Sequence, residues 1–179
     1  MTDTITDAMK GAPVPLFGLA GWSGSGKTTL AEQLITEWTA QGLDVATIKH
    51  AHHEFEADTP GKDSWRHREA GARQVLVSSA IRSAHFVEHK TREPELAQML
   101  NRLLPCDLVL IEGFKREAVP KMEIFRAEVG KSHLYTEDNQ IIAVASDSAV
   151  PDCPLPVLDL NDIPTIADFV LQVVGLSSR

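Results

Sequence analysis

Residues 16–30, LFGLAGWSGSGKTTL, constrain this chain more than any other stretch. Leu16 to Ala20 is a short apolar run. Gly21-Trp22-Ser23-Gly24-Ser25-Gly26-Lys27-Thr28 then fits G-x-x-x-x-G-K-[ST], and Thr29-Leu30 opens a helical pattern. A strand, this octapeptide and a helix in that order make a phosphate-binding loop. Phosphate oxygens need donors on all sides, and only backbone N–H groups are dense enough to supply them. Gly21, Gly24 and Gly26 give the chain the φ/ψ freedom to curl around an anion, with Ser23 and Ser25 between them. The next helix adds its orphan N–H groups and the positive end of its dipole. Lys27 is expected to stand exposed until a nucleotide arrives and then to reach the β- and γ-phosphates. The Thr28 hydroxyl is expected to ligate Mg²⁺. The bland alternative is a glycine-rich turn with an incidental lysine.

At 179 residues and 43% hydrophobic content, the chain suits one domain with a sizeable core. Seventeen Lys and Arg against twenty-five Asp and Glu give a net charge of −8, which argues against a nucleic-acid partner. No apolar run approaches the ~20 residues of a membrane helix. Residues 1–13, MTDTITDAMKGAP, are polar, carry no apolar signal core, and are expected to be a disordered tail. Cys106 and Cys153 form no C-x-x-C pair, so a cytoplasmic protein with reduced thiols is expected.

Hydrophobic periodicity predicts the remaining elements. A helix over 26–40 buries Leu30, Leu34, Ile35 and Trp38, and Asp44–His50 is a second strand. Ser64–Ala70 makes one or two helical turns. Gln74–Ser79 and Ser83–Glu88 form a strand pair. A helix begins near Pro94, shows Leu96, Met99, Leu100, Leu103 and Leu104 on one face, and ends at Pro105. Asp107–Glu112 is a buried strand, while Lys121–Arg126 alternates and reads as a strand nearer an edge. Gln140–Ala145 and Pro156–Leu160 are strands, and Asn161 or Asp162 caps a last helix to about Val174. Strands alternating with helices indicate an α/β chain: a mostly parallel sheet flanked by helices, with a small β extension. Residues 14–175 are expected to form a single domain of the P-loop NTPase fold.

Other residues suggest the rest of the chemistry. Glu112 ends an apolar strand downstream of the phosphate loop, as a Walker B acid does, and would hold Mg²⁺ or orient water. Residues 49–73 are dense in charge and histidine. Within them Asp63 is the candidate second acid for metal or water, and Lys62 a candidate phosphate contact. His50, His52, His53 and His67 admit a metal site, although their spacing is not a closed zinc pattern. Asp147 follows a late apolar strand and could accept from a guanine, but N-K-x-D is absent. The residues alone leave guanine and adenine open.

The chain resembles the MobB family of molybdopterin-guanine dinucleotide biosynthesis adapter proteins. The resemblance rests on AGWSGSGKTTL at 20–30, IKHAHHEFEADTPGKDSWRHREAGA at 48–72, DLVLIEGFK at 107–115, IIAVASD at 141–147 and NDIPTIADFV at 161–170. It implies a homodimeric P-loop protein that binds GTP with Mg²⁺ and hydrolyses it weakly. It also implies a partner, the MobA-type molybdopterin guanylyltransferase that attaches GMP to molybdopterin, and leaves room for contact with molybdopterin itself. By motif, Gly24, Gly26, Lys27, Thr28 and Thr29 would bind phosphate and Mg²⁺, and Glu112 would be the Walker B acid. Lys49, His50, Asp63 and Asp147 carry over as further site residues. The competing readings are a small-molecule kinase or ATP-dependent ligase on the same fold, and a metal-delivery GTPase that uses the histidines. The absence of an obvious arginine finger or water-orienting glutamine fits slow turnover, on the order of 10⁻⁴ to 10⁻² s⁻¹.

Overall fold

Leu16–Ala20 forms β1, and all five of its residues are buried, as expected where a parallel strand has neighbours on both sides. The computed structural model describes residues 14–51, 55–114 and 117–177. The expected tail at 1–13 lies outside these residues, as do His52 and His53. After β1 come α1 (Lys27–Ala40), β2 (Val45–Lys49), α2 (Asp63–Glu69), β3 (Gln74–Ser78), β4 (Ser83–Val87) and α3 (Leu96–Leu100). They are followed by β5 (Leu108–Glu112), β6 (Lys121–Phe125), β7 (Ile141–Ser146), β8 (Val157–Asp159) and α4 (Ile163–Val173). The described residues make two compact units: those between 51 and 100, and those on either side of them.

The larger unit is a six-stranded sheet of order β2-β5-β1-β6-β7-β8. Every pairing in it is parallel. All six strands therefore end at one edge, where β1 runs into the phosphate loop. Alternation places Phe17, Leu19, Leu108, Leu110, Met122, Ile124, Ala143 and Ala145 on one face. There they pack with Leu30, Leu34 and Trp38 of α1 and Ile166, Val170 and Leu171 of α4. Trp38 is fully buried and donates its indole N–H to the carbonyl of Ala167 at 3.4 Å, joining the two helices. Asp162 caps α4 by accepting from the Thr165 backbone N–H at 3.2 Å and its hydroxyl at 2.8 Å.

Two expectations need correction. β6 is not near an edge; it lies between β1 and β7, with Lys121 through Ile124 buried. Its alternating polar residues mislead because they are buried with their charges matched. Lys121 meets Asp138 at 2.9 Å, and Glu123 accepts the backbone N–H groups of Leu134 and Tyr135 at 2.8 and 3.1 Å. Lys121 also lies flat over β1, where a Cβ on Gly18 would stand 2.8 Å from its Cγ. The helix near Pro94 covers only Leu96–Leu100, and Leu104 is 85% exposed. Beyond Leu100 the apolar side chains gain little burial, with Leu103 only half-buried and Leu104 exposed, so little packing holds a further helical turn.

The smaller unit carries α2 and the antiparallel pair β3–β4, in register from Gln74↔Val87 to Ser78↔Ser83. Ser79 closes the turn, its N–H donating to the Arg82 carbonyl at 2.8 Å.

Candidate nucleotide-binding site

The loop after β1 turns through three glycines of positive φ: Gly21 at 155°, Gly24 at 82° and Gly26 at 94°. At Gly26 the left-handed backbone is the N-cap of α1, and the Leu30 N–H closes the first helical bond to its carbonyl at 3.0 Å. Gly21 has a packing reason as well, since a Cβ there would meet Ser25 Oγ at 2.5 Å and the Ile124 carbonyl at 2.8 Å. Ser25 is buried beneath the loop, whereas Ser23, Thr28 and Thr29 are exposed. Trp22 donates its indole N–H to the Ser132 carbonyl at 2.8 Å, and the Lys131 ammonium lies 5.8 Å from its ring centroid.

Lys27 departs from expectation. It is half-buried and folded back on its own loop, donating to the carbonyls of Gly21 at 2.9 Å and Trp22 at 2.8 Å. Its ammonium thus ties the start of the helix to two carbonyls at the start of the loop.

Beside the loop, strand order brings together residues that sequence separates widely. β5 is the neighbour of β1 and β2 the neighbour of β5, so Glu112 and Lys49 end next to Thr28. The Thr28 hydroxyl donates to Glu112 Oε1 at 3.1 Å. Lys49 Nζ lies 3.4 Å from both Thr28 Oγ1 and Glu112 Oε2. Glu112 is mostly buried there, with 15% of its side chain exposed. His50 continues the edge: its N–H donates to the Glu112 carbonyl at 2.8 Å, and its ring lies 5.1 Å from that of Phe114. Gly113 allows this close approach, since a Cβ on it would stand 2.8 Å from the His50 carbonyl.

On the other side of β1, Asp147 follows the end of β7. Its Oδ2 faces Arg126 Nε at 3.6 Å, and that guanidinium lies against Gly26. Sequence reading gave no hint of Arg126, because nothing local marks the residue after β6 as a neighbour of a loop one hundred positions earlier.

Lys62 and Asp63 lie in the smaller unit. Lys62 is the N-cap residue of α2, and Asp63 opens that helix with its side chain 90% exposed and Arg66 at 3.9 Å. The organised acid there is Asp58, which sequence reading passed over. Its carboxylate accepts from Ser64 Oγ at 2.8 Å, the Thr59 N–H at 2.9 Å and Arg68 Nε at 3.3 Å. Burial works against the Asp58 charge, but these donors outweigh it and hold the carboxyl below its ordinary range. Glu56 is lowered too, first by the Asp58 N–H and then by Arg68, which also reaches Glu88 at 3.0 Å. Among the described residues no group of three or more His, Cys, Asp or Glu is placed to hold a metal. None of the described helices is long and apolar enough to cross a membrane.

A parallel α/β sheet with a G-x-x-x-x-G-K-T turn after its central strand, and an acid ending the adjacent strand, defines the P-loop NTPase-like class. Comparison with known proteins narrows this. The family model described as "Molybdopterin guanine dinucleotide synthesis protein B" (MobB) matches residues 16–147, and the chain belongs to that family. It is 45% identical over 161 residues to the "Molybdopterin-guanine dinucleotide biosynthesis adapter protein" of Haemophilus influenzae, covering 88% of each chain. It is 40% identical to the Escherichia coli protein of the same name, over 89% of this chain and 93% of that one. The crystal structure of Bacillus subtilis MobB superposes with a TM-score of 0.71 at 29% identity, covering 89% of this chain and 98% of that one.

Proposed function

We propose that this protein is a GTP-binding adapter of molybdenum-cofactor biosynthesis, a slow Mg²⁺-dependent GTPase at most, which assists the attachment of GMP to molybdopterin. Its relatives are named as adapters of molybdopterin-guanine dinucleotide biosynthesis. The observation that carries the nucleotide part is the convergence of Thr28, Glu112 and Lys49 within 3.4 Å at the helix end of a phosphate loop.

That cluster fits a hydrated Mg²⁺. Hydroxyl and carboxylate are hard oxygen donors, and Mg²⁺ in phosphate sites takes one or two protein oxygens plus phosphate. The Lys49 ammonium between the two oxygens marks a place where positive charge is already stabilised. Thr28 and Glu112 would hold the ion, which would supply positive charge against the phosphates. The chain's own residues supply the rest. Lys27 exchanges the carbonyls of Gly21 and Trp22 for phosphate oxygens. The N–H groups of Gly24 through Thr29 surround the phosphates. Lys49 moves off Glu112 toward phosphate, and Glu112 orients water. Asp147 reads the base, with His50 as a further contact. The protein works in the cytoplasm with a guanylyltransferase of the MobA type and acts as a homodimer. In support of a second copy, a two-stranded sheet is marginal alone, yet β3–β4 exposes Leu76 (70%), Val77 (44%) and Ile81 (93%).

The test is a titration with GTP and with ATP, each with Mg²⁺, followed by the fluorescence of Trp22 with a Trp22→Phe control. Tighter binding of GTP with little phosphate release is the expected result. Preference for ATP with rapid turnover on a small acceptor would overturn the reading in favour of a kinase or ligase.

A further inference from the structure

The sheet gives the phosphate loop two unlike flanks. β5 and β2 present Glu112 and Lys49, the metal-and-phosphate chemistry. β6 and β7 present Arg126 and Asp147. A nucleotide held by its phosphates in the loop has its metal-binding end toward the first pair, which leaves the second pair for the nucleoside. We propose that Arg126 is the positioning residue for base recognition, holding the Asp147 carboxylate toward the Watson–Crick edge of a guanine. This rests on GTP being the nucleotide.

Arg126 is preplaced but not closed. Its backbone is extended, with φ −132° and ψ 125°, immediately after β6. Its guanidinium lies over the bare α-carbon of Gly26, where a Cβ would be 3.6 Å from both Nε and Nη2. It therefore stands at the end of α1, one residue from Lys27. Nε is buried and has no hydrogen-bond partner among the described residues; Asp147 Oδ2 faces it at 3.6 Å, beyond hydrogen-bond length. Nη1 points to the exposed Glu128 at 3.4 Å. A buried donor short of its acceptor is costly, and a shift of a few tenths of an ångström satisfies it. Guanine supplies the occasion. Its N1–H and 2-amino group donate side by side to one carboxylate, whereas adenine offers an acceptor at N1 and cannot use the pair. Arg126 would then hold Asp147 from behind while the base binds in front. The rigid fork of a guanidinium suits this better than an ammonium.

The full chain with Mg²⁺ is titrated with GTP, ITP (which lacks the 2-amino group), ATP and inorganic pyrophosphate. Arg126→Met should reduce the GTP-over-ITP and GTP-over-ATP preferences by about tenfold or more, the loss expected when a charge-assisted hydrogen bond is misaligned. Pyrophosphate affinity should change by less than about threefold. Arg126→Lys keeps the charge and should also lose discrimination, which guards against misfolding of the methionine variant. Asp147→Ala should abolish discrimination, and adding Arg126→Met to it should cause no further loss, since the two act as one unit. Equal losses for all four ligands would make Arg126 a phosphate contact and overturn the inference. Preserved selectivity in both Arg126 variants would overturn it while the GTP reading stands. A wild-type chain that does not prefer GTP would overturn the GTP reading and this inference with it.

Discussion

The ammonium of Lys27 donates to two carbonyls of its own loop, Gly21 and Trp22. Lys27→Ala therefore removes these two bonds together with the cation proposed to meet the phosphates. At about 1.5–3 kcal/mol for a charged hydrogen bond, nucleotide affinity should fall by about 10²-fold or more. Trp22 emission should change before any nucleotide is added, and an unchanged spectrum with unchanged affinity would show that the loop binds no phosphate. Glu112→Gln should keep an acceptor for the Thr28 hydroxyl and so spare binding, while phosphate release slows at least about tenfold. Equal release would reduce Glu112 to an acid that merely anchors Lys49. At this scale, sequence showed what is contiguous: the octapeptide, the acid ending an apolar strand and the aspartate after a late one. It did not show where Lys27 rests, because that depends on loop carbonyls that only a folded turn presents. Nor did it show Arg126 beside Gly26, or Asp58 as the organised acid of its unit, because neither contact has a local signature.

Elements were legible where their pattern was purely apolar or purely amphipathic. β1, α1, β7 and α4 lie within a residue or two of their expected limits. β6 misled because burial of Lys121 and Glu123 depends on Asp138 and on backbone donors from residues 134–135. Glu123→Ala should strand those two N–H groups and cost about 2–5 kcal/mol. Urea denaturation would measure it, and a loss below 1 kcal/mol would show that water replaces the carboxylate. Trp38→Ala should cost about 3–5 kcal/mol by opening a cavity between α1 and α4, read from the same melts. The acid cluster around Arg68 gives a pH prediction. Glu56 and Asp58 have folded pKa values below their unfolded ones, so their stabilisation is full above the unfolded values, near 4, and is lost as pH falls through the folded ones. Hydrogen exchange over residues 56–69, corrected for intrinsic rate, should lose protection below about pH 4. Asp58→Asn should weaken that dependence; unaltered protection down to pH 2 would rule the cluster out as the cause.

For the whole molecule, the expected α/β architecture with a small β extension is the one observed. Strand order was beyond reach of the sequence because parallel pairing joins segments across long separations, with no hairpin turn to announce it. Association belongs to this scale as well. If the proposed homodimer forms through the β3–β4 hairpin, replacing both Leu76 and Ile81 by Asp should shift the mass measured by light scattering from dimer to monomer. An unchanged circular-dichroism spectrum would show that the doubly substituted chain still folds. A dimer that survives both changes would move the interface away from the hairpin.

The strand order also sets a timetable for synthesis. β1 has only β5 and β6 as neighbours, joined through pairs such as Leu16↔Val109 and Gly18↔Lys121. At roughly 5–20 residues per second, a nascent chain carries Phe17 and Leu19 for several seconds before either neighbour leaves the ribosome. During that interval the phosphate-loop sequence exists without the scaffold that shapes it. A chain stalled before Lys121 would display every glycine of the motif and hold no nucleotide. On the proposed reading, nucleotide binding is thus a late event in biogenesis, one that waits for the strands on both sides of β1.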